Sequence, residues 1–529
     1  MKNIKYTFIA SALAAFTLTG CNDLDTEPLG ATITSDQKEE VVEANPERIE
    51  ASVTAMFSVM NKFGLVYTDE SVHNDFGYPT VMMWTDSRGM DLVSENTGYN
   101  WFTSAATYDD VVSTNRGTIL LWSTIYKQLN AVNAVTALIN PETEESDLKF
   151  YLANAYAIRA FDYFNLAQLY QQTYVGNEDK PCVPLITEEN ADAAATNGCA
   201  RATVKEVYAQ IMKDLDNAIA LFESSDTERA DKRYISREVA YGIRARVNLV
   251  MHNWTAAAND AQVALEGGHT PYAITDVNHP GFTEIEDNAW MWGVLIAETD
   301  RCVTSGICNF PSHMGSLNYG YASVGAWRCI NKQLFDAIPD SDVRKGWWLN
   351  AEGQSANLNA EQAAYVAEAG CYPYSQMKYG CYKDETGTST NASDVPLMRA
   401  EEMYLILAEA TAMAGDAAAG AQILQQFVST YRDPSYTCTA STPEAVQDAV
   451  WMQRRIELWG EGFSYFDMLR LRKDMDRRGA GFAPAETYFI PAGDPALIYR
   501  LPQREIEGNP MLEESDNNEV VAKPSPVTE

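Results

Sequence analysis

The chain has 529 residues, 46% of them apolar and 11% aromatic, and its 73 acidic against 39 basic residues give a formal net charge of −34. That apolar content belongs to a packed globular protein, long enough for several domain cores or for one continuous helical-repeat body. So negative a field repels phosphate backbones and anionic headgroups, which argues against nucleic acid and against a polybasic membrane contact.

In chain order, Lys2 and Lys5 precede an uncharged, largely apolar run from Tyr6 to Leu18. A basic start followed by an apolar run of this length is an export signal, too short to span a bilayer. The run ends in Leu18-Thr19-Gly20-Cys21, which resembles a bacterial lipobox. Residues 1–20 then read as a lipoprotein signal peptide and Cys21 as the lipidated first residue of the mature chain. Several acyl chains on one cysteine hold firmly, since each buried methylene contributes ~0.8 kcal/mol. No later segment offers the ~20 consecutive apolar residues of a spanning helix, so the expectation is a protein anchored to a membrane without crossing it. Residues 21–43 are polar and acidic and read as a tether, and residues 44–529 as a single domain.

Helical periodicity dominates that domain, mainly over residues 44–63, 116–171, 203–265 and 397–475. Arg116 to Leu138 and Phe150 to Tyr170 form one helix–turn–helix unit around Pro141. Thr203 to Phe222 and Ser236 to Leu265 form a second, with Thr203 as N-cap, Glu206 in the capping-box position and a break near His252-Asn253. Leu397 to Ala414, a turn at Gly415-Asp416, a continuation to Tyr431, and Glu444 to Lys473 (broken around Gly460 and Gly462) make a third. Units of this length with Ala155, Ala157, Ala160, Ala408, Ala410 and Ala414 at the crossings predict an all-α, tetratricopeptide-like scaffold with minor β structure. Two regions interrupt it: 64–108, rich in glycine, aromatic and Asn/Asp residues, and 269–391, long and dotted with prolines. Loops of that size on a rigid scaffold are where binding residues concentrate.

Catalytic and cofactor signatures are missing: no H-E-x-x-H, G-x-S-x-G, P-loop or paired C-x-x-C, and five histidines without metal-ligand spacing. Neither a cofactor nor a metal is expected. Eight cysteines follow Cys21; Cys182/Cys199, Cys302/Cys308 and Cys371/Cys381 are the economical disulfide pairs, and free buried thiols are an equal reading. What stands out is aromatic-plus-amide clustering in the loops. Flat rings stack on sugars while Asn, Asp and Arg supply directional hydrogen bonds to hydroxyls. Asp86, Arg88, Asn100, Trp101, Tyr319 and Tyr321 are therefore expected to converge on one exposed face and bind the ligand, with no catalytic residue among them.

The motifs also carry a resemblance. The lipobox with Asn22-Asp23-Leu24-Asp25-Thr26-Glu27-Pro28, the helix Ala157 to Leu166, and Leu397-Met398-Arg399-Ala400-Glu401-Glu402-Met403-Tyr404-Leu405 are similar to those of SusD/RagB-like outer-membrane nutrient-binding lipoproteins. So are Arg454-Arg455-Ile456-Glu457-Leu458, Glu461-Gly462, Asp467 and Arg470, and the closing Tyr499 to Pro510. Phe463-Ser464 stands where a basic residue is common, which implies a missing local ion pair. The resemblance implies a lipid-anchored protein of the outer membrane, facing the cell exterior. It would capture an oligomeric nutrient, usually a glycan, for a SusC-like TonB-dependent transporter. Arg454, Arg455, Glu457 and Glu461 would be structural. The alternatives are a RagB-type peptide importer subunit and a surface glycan hydrolase using an Asp/Glu pair in region 64–108.

Overall fold

The scaffold helices most plainly written in the sequence carry one apolar stripe and a side-chain cap at the first turn. The computed structural model describes Val42 and residues 49–528; the export signal, Cys21 and nearly all of the tether lie outside the described residues. The helices are α1 (Glu50–Ser58), α2 (Tyr78–Arg88), α3 (Arg116–Thr136), α4 (Ser146–Tyr170), α5 (Val204–Glu223), α6 (Arg237–Val250) and α7 (Trp254–Leu265). After them come α8 (Phe310–Met314), α9 (Ala360–Ala369), α10 (Ala400–Met413), α11 (Ala417–Tyr431), α12 (Pro443–Glu457) and α13 (Ser464–Arg470). Thr203 and Glu206 close a reciprocal capping box at the start of α5, and Asn115, Ser236, Asp416 and Thr442 cap α3, α6, α11 and α12 with their side chains. Packing runs from helix to helix along the chain: α3 on α4, α4 on α5, α5 on α6, α6 on α7, α7 on α10, and α10 on α11 and α12. Ala155, Ala157, Ala160, Ala408 and Ala410 are wholly buried at these crossings, letting the backbones approach. The all-α repeat architecture is the one the periodicity predicts. None of the described helices is long and apolar enough to cross a membrane.

The strands are short and pair in four two-stranded antiparallel sheets: β1 (Leu92–Val93) with β5 (Cys329–Ile330), β2 (Pro181–Pro184) with β3 (Arg201–Thr203), β4 (Trp290–Val294) with β6 (Val395–Arg399), and β7 (Met475–Asp476) with β8 (Phe489–Ile490). The helix expected from Leu397 begins only at Ala400, because residues 395–399 are a fully buried strand against β4. The eight cysteines that follow Cys21 are all free. Burial pushes the thiols of Cys182 and Cys302 up to about 12, so they behave as small apolar side chains.

Charges tie the long second loop region to the last helices. Glu457 accepts hydrogen bonds from Arg344 at 3.1 Å, Arg399 at 3.2 Å and Arg432 at 2.8 Å. Glu461 accepts from Arg399 at 2.8 Å and Lys378 at 2.5 Å, Glu401 from Arg432 at 3.0 Å, and Asp342 from Arg344 at 2.6 Å. Four cations thus face four carboxylates, all buried, and the cluster is neutral as a whole. Arg454 pairs with Asp467 at 2.7 Å and Arg455 with Asp91 at 2.5 Å. Asp91 also accepts from the Ser464 hydroxyl, so it remains paired although serine stands where a basic residue is common.

Candidate functional site

The two loop regions meet, and three devices hold them together. The first is the β1–β5 ladder, which pairs Leu92 with Ile330 and Val93 with Cys329. The second is Arg328, wholly buried, whose Nε donates to the His313 carbonyl at 2.8 Å and whose Nη1 donates to Ser94 Oγ at 2.6 Å and Asn100 Oδ1 at 3.0 Å. It has no carboxylate partner among the described residues, and burial drives its pKa down to about 9. The third is a ring stack. Trp101 lies on His73 with centroids 4.8 Å apart, Tyr321 meets the edge of Trp101 at 6.3 Å, and His313 stacks on Tyr321 at 4.6 Å. Desolvation holds both imidazoles below their usual pKa, which favours neutral, stackable rings.

Beside this joint opens a cleft of about 260 Å³ lined by Trp327, Tyr372, Tyr374, Val93 and Ile330, with Ser94, Glu95 and Lys332 as polar groups. Trp327 forms the floor, its ring 6.2 Å from that of Tyr372. Tyr372 is 43% exposed, and Tyr99, which lies against the backbone of Gly325 at the cleft's wall, is 50% exposed. Half-exposed rings above a buried indole, with a carboxylate and an ammonium at the rim, are suited to a hydroxyl-rich ligand: apolar sugar faces stack while hydroxyls find donors and acceptors.

The six residues expected at the site divide. Asn100, Trp101 and Tyr321 do come together at the joint, but Asn100 is buried with its carboxamide consumed by Arg328, the Phe102 amide and the Ser94 carbonyl. Tyr319 stands out 52% exposed, held by its amide on the Thr388 carbonyl at 2.8 Å. Asp86 and Arg88 are interior and do not belong to an exposed face. Every residue of α2 is buried, so both side chains point into protein. Arg88 pairs with Asp110, donates to Tyr465 Oη at 3.1 Å, and lies between the rings of Tyr108 and Tyr499 at 4.3 and 4.4 Å. Asp86 accepts the Gly462 amide at 2.9 Å, and burial raises its pKa to about 7. Tyr372 and Tyr374 were missed; the Tyr-Pro-Tyr run over 372–374 in the proline-rich loop is the signal that would have flagged them. Among the described residues no group of three or more His, Cys, Asp or Glu is placed to hold a metal ion.

Comparison with known proteins gives a consistent picture. Residues 66–249 match the family described as starch-binding and associating with the outer membrane, and residues 322–513 match the SusD family. The chain is 22% identical to the SusD-like protein P2 of Formosa agariphila over 94% of its own length and 98% of that protein's. It is 23% identical to the SusD-like protein P38 of the same organism over 68% of this chain and 73% of that one. Among solved structures it is similar to a SusD-like carbohydrate binding protein from Bacteroides vulgatus, with a TM-score of 0.73 at 22% identity over 89% of this chain and 97% of that one. It also resembles a SusD superfamily protein from Bacteroides thetaiotaomicron, with a TM-score of 0.71 at 19% identity over 89% and 99% of the two chains.

Proposed function

Because this chain belongs to the SusD/RagB family, we propose that it captures a glycan in the cleft over Trp327 and delivers it to a SusC-like TonB-dependent outer-membrane transporter. The observation that carries the reading is a cleft built by both loop regions: Val93, Ser94 and Glu95 from the first, Trp327, Tyr372 and Tyr374 from the second, with the exposed ring of Tyr99 beside it against Gly325. In this reading Cys21 carries the lipid and the cleft faces the cell exterior. Trp101, Tyr321 and Tyr319 extend the binding face beyond the cleft, and Asn100 orients it through Arg328.

Binding without turnover is part of the proposal. A glycosidase needs two carboxylates flanking the scissile bond, and Glu95 is the lone carboxylate among the cleft's lining residues. Of the acids of region 64–108 that sit deep in the protein, Asp75 accepts the Val66 and Tyr67 amides at 2.7 Å, Asp86 accepts the Gly462 amide at 2.9 Å and Asp91 pairs with Arg455, and none of the three lines the cleft.

The test is a glycan array followed by calorimetry on the best ligand. Tyr372→Ala and Trp101→Ala should each weaken binding ten- to a hundredfold, the ~1–3 kcal/mol of a stacked ring, with the melting temperature of Tyr372→Ala unchanged. Full affinity in the Tyr372 variant removes the cleft from the proposal, and new reducing ends released from the glycan would make the protein a hydrolase.

A further inference from the structure

The signature Arg454, Glu461, Gly462, Asp467 and Arg470 does more than lock helices: it forms one wall of a second cleft, among α2, α4, α6, α10 and α13. This cleft holds about 60 Å³, several times the ~10–15 Å³ that one water occupies. That is room for a ring or a short chain and too little for an oligosaccharide. Its walls are mostly apolar, with Phe161, Phe164, Val250 and Phe466 among them.

The polar part is mixed, Arg246, Arg454 and Arg470 with Glu402, Glu461 and Asp467, and two of the arginines have donor nitrogens the carboxylates do not use. Arg246 is bound to Glu402 and the Leu397 carbonyl through Nε and Nη2, and its Nη1 makes no hydrogen bond among the described residues. Arg454 uses Nε on Asp467, while its Nη1 is shut off from water and has no partner among the described residues. Asp467 is moreover shared with Arg470. Both guanidinium groups lie over the ring of Phe463, at 4.9 and 5.8 Å. A buried donor without an acceptor is costly, and an ionised donor bonds an anionic oxygen about twice as strongly as a neutral one.

We propose that this cleft binds a small apolar carboxylate, its body among the phenylalanines and its carboxylate on Nη1 of Arg246, with the charge of the Arg454 guanidinium beside it. The site is separate from the aromatic cleft over Trp327 and independent of what that cleft captures.

The probe is 3-phenylpropionate, with 3-phenylpropan-1-ol as the neutral match, titrated by calorimetry into the mature chain. The acid should bind saturably and at least tenfold tighter than the alcohol. Val250→Phe, which fills the cleft, and Gln168→Trp, which narrows it from a part-exposed position, should each weaken the acid at least tenfold, circular dichroism confirming the fold. No saturable binding at millimolar acid, equal affinity for acid and alcohol, or wild-type affinity in both folded variants would overturn the proposal. The comparison of acid with alcohol uses the unmodified protein and stands even if a variant fails to fold.

Discussion

At Asp86 one carboxylate oxygen takes the Gly462 amide and the other has no donor among the described residues. Burial without full compensation lifts the pKa to about 7, so the folded protein holds a proton here that the unfolded chain releases near 3.9. The sign follows. The folded state binds more protons between those two values, so this residue's contribution to stability falls as pH rises from about 4 to 7 and is level above that. Asp86→Asn keeps an acceptor for Gly462 and removes the titration. It should therefore be more stable relative to wild type at pH 8 than at pH 5, wild type losing about 1.4 kcal/mol for every pH unit crossed below 7. Urea unfolding of both proteins at the two pH values decides it; an identical difference at both would show that Asp86 does not titrate in this range. Its neighbour Arg88 shows why the site was only half legible from sequence. Asp-Ser-Arg-Gly beside aromatic residues has the composition of a ligand loop, and the same composition serves a buried helix whose polar groups find partners inside.

Helices α3, α5, α6 and α12 were readable because each keeps one apolar stripe and a capped end, the two signals periodicity can detect. Helix α2 was not, since all eleven of its residues are buried and no face is left polar. Strand β6 failed for the opposite reason: its last three residues, Leu397 to Arg399, run buried into α10 and read as that helix's first turn, and only pairing with β4 decides otherwise. The element most dependent on distant partners is the end of α12, where Glu457 serves three arginines. Glu457→Gln leaves Arg344, Arg399, Arg432 and Lys378 facing three carboxylates inside the protein. Breaking a buried pair costs about 3–5 kcal/mol, and a loss of that size is expected in denaturant unfolding. A change below about 1 kcal/mol would mean that solvent reaches the cluster and screens it as it would a surface pair.

At the scale of the whole molecule, a stack of paired helices carries a layer of long loops, and the function rests on the layer. Sequence located both loop regions as interruptions of a period, but nothing in a period says which loop residues meet. Glu95 and Tyr372 share a cleft because β1 and β5 pair and because Arg328 reaches from one region to the other, a contact between irregular segments that leaves no repeat in the sequence. Arg328 is the step at which scaffold stability becomes site geometry. It is buried without a carboxylate, so it adds little Coulombic stability, yet it ties His313, Ser94 and Asn100 into one unit. Arg328→Met should leave the His313 carbonyl and the Ser94 hydroxyl oxygen without this donor, Asn100 Oδ1 keeping only the Phe102 amide, at a cost of about 1–3 kcal/mol each at most, confined to the joint. Amide hydrogen exchange should then quicken at least tenfold over residues 94–101 and 319–327 while α3 to α7 keep wild-type protection, because local opening draws on local contacts. Glycan affinity should fall with it although Arg328 does not line the cleft. Unchanged exchange over residues 94–101 would show that the β1–β5 ladder and the ring stack hold the loops unaided, and would return the rigidity of the site to the rings themselves.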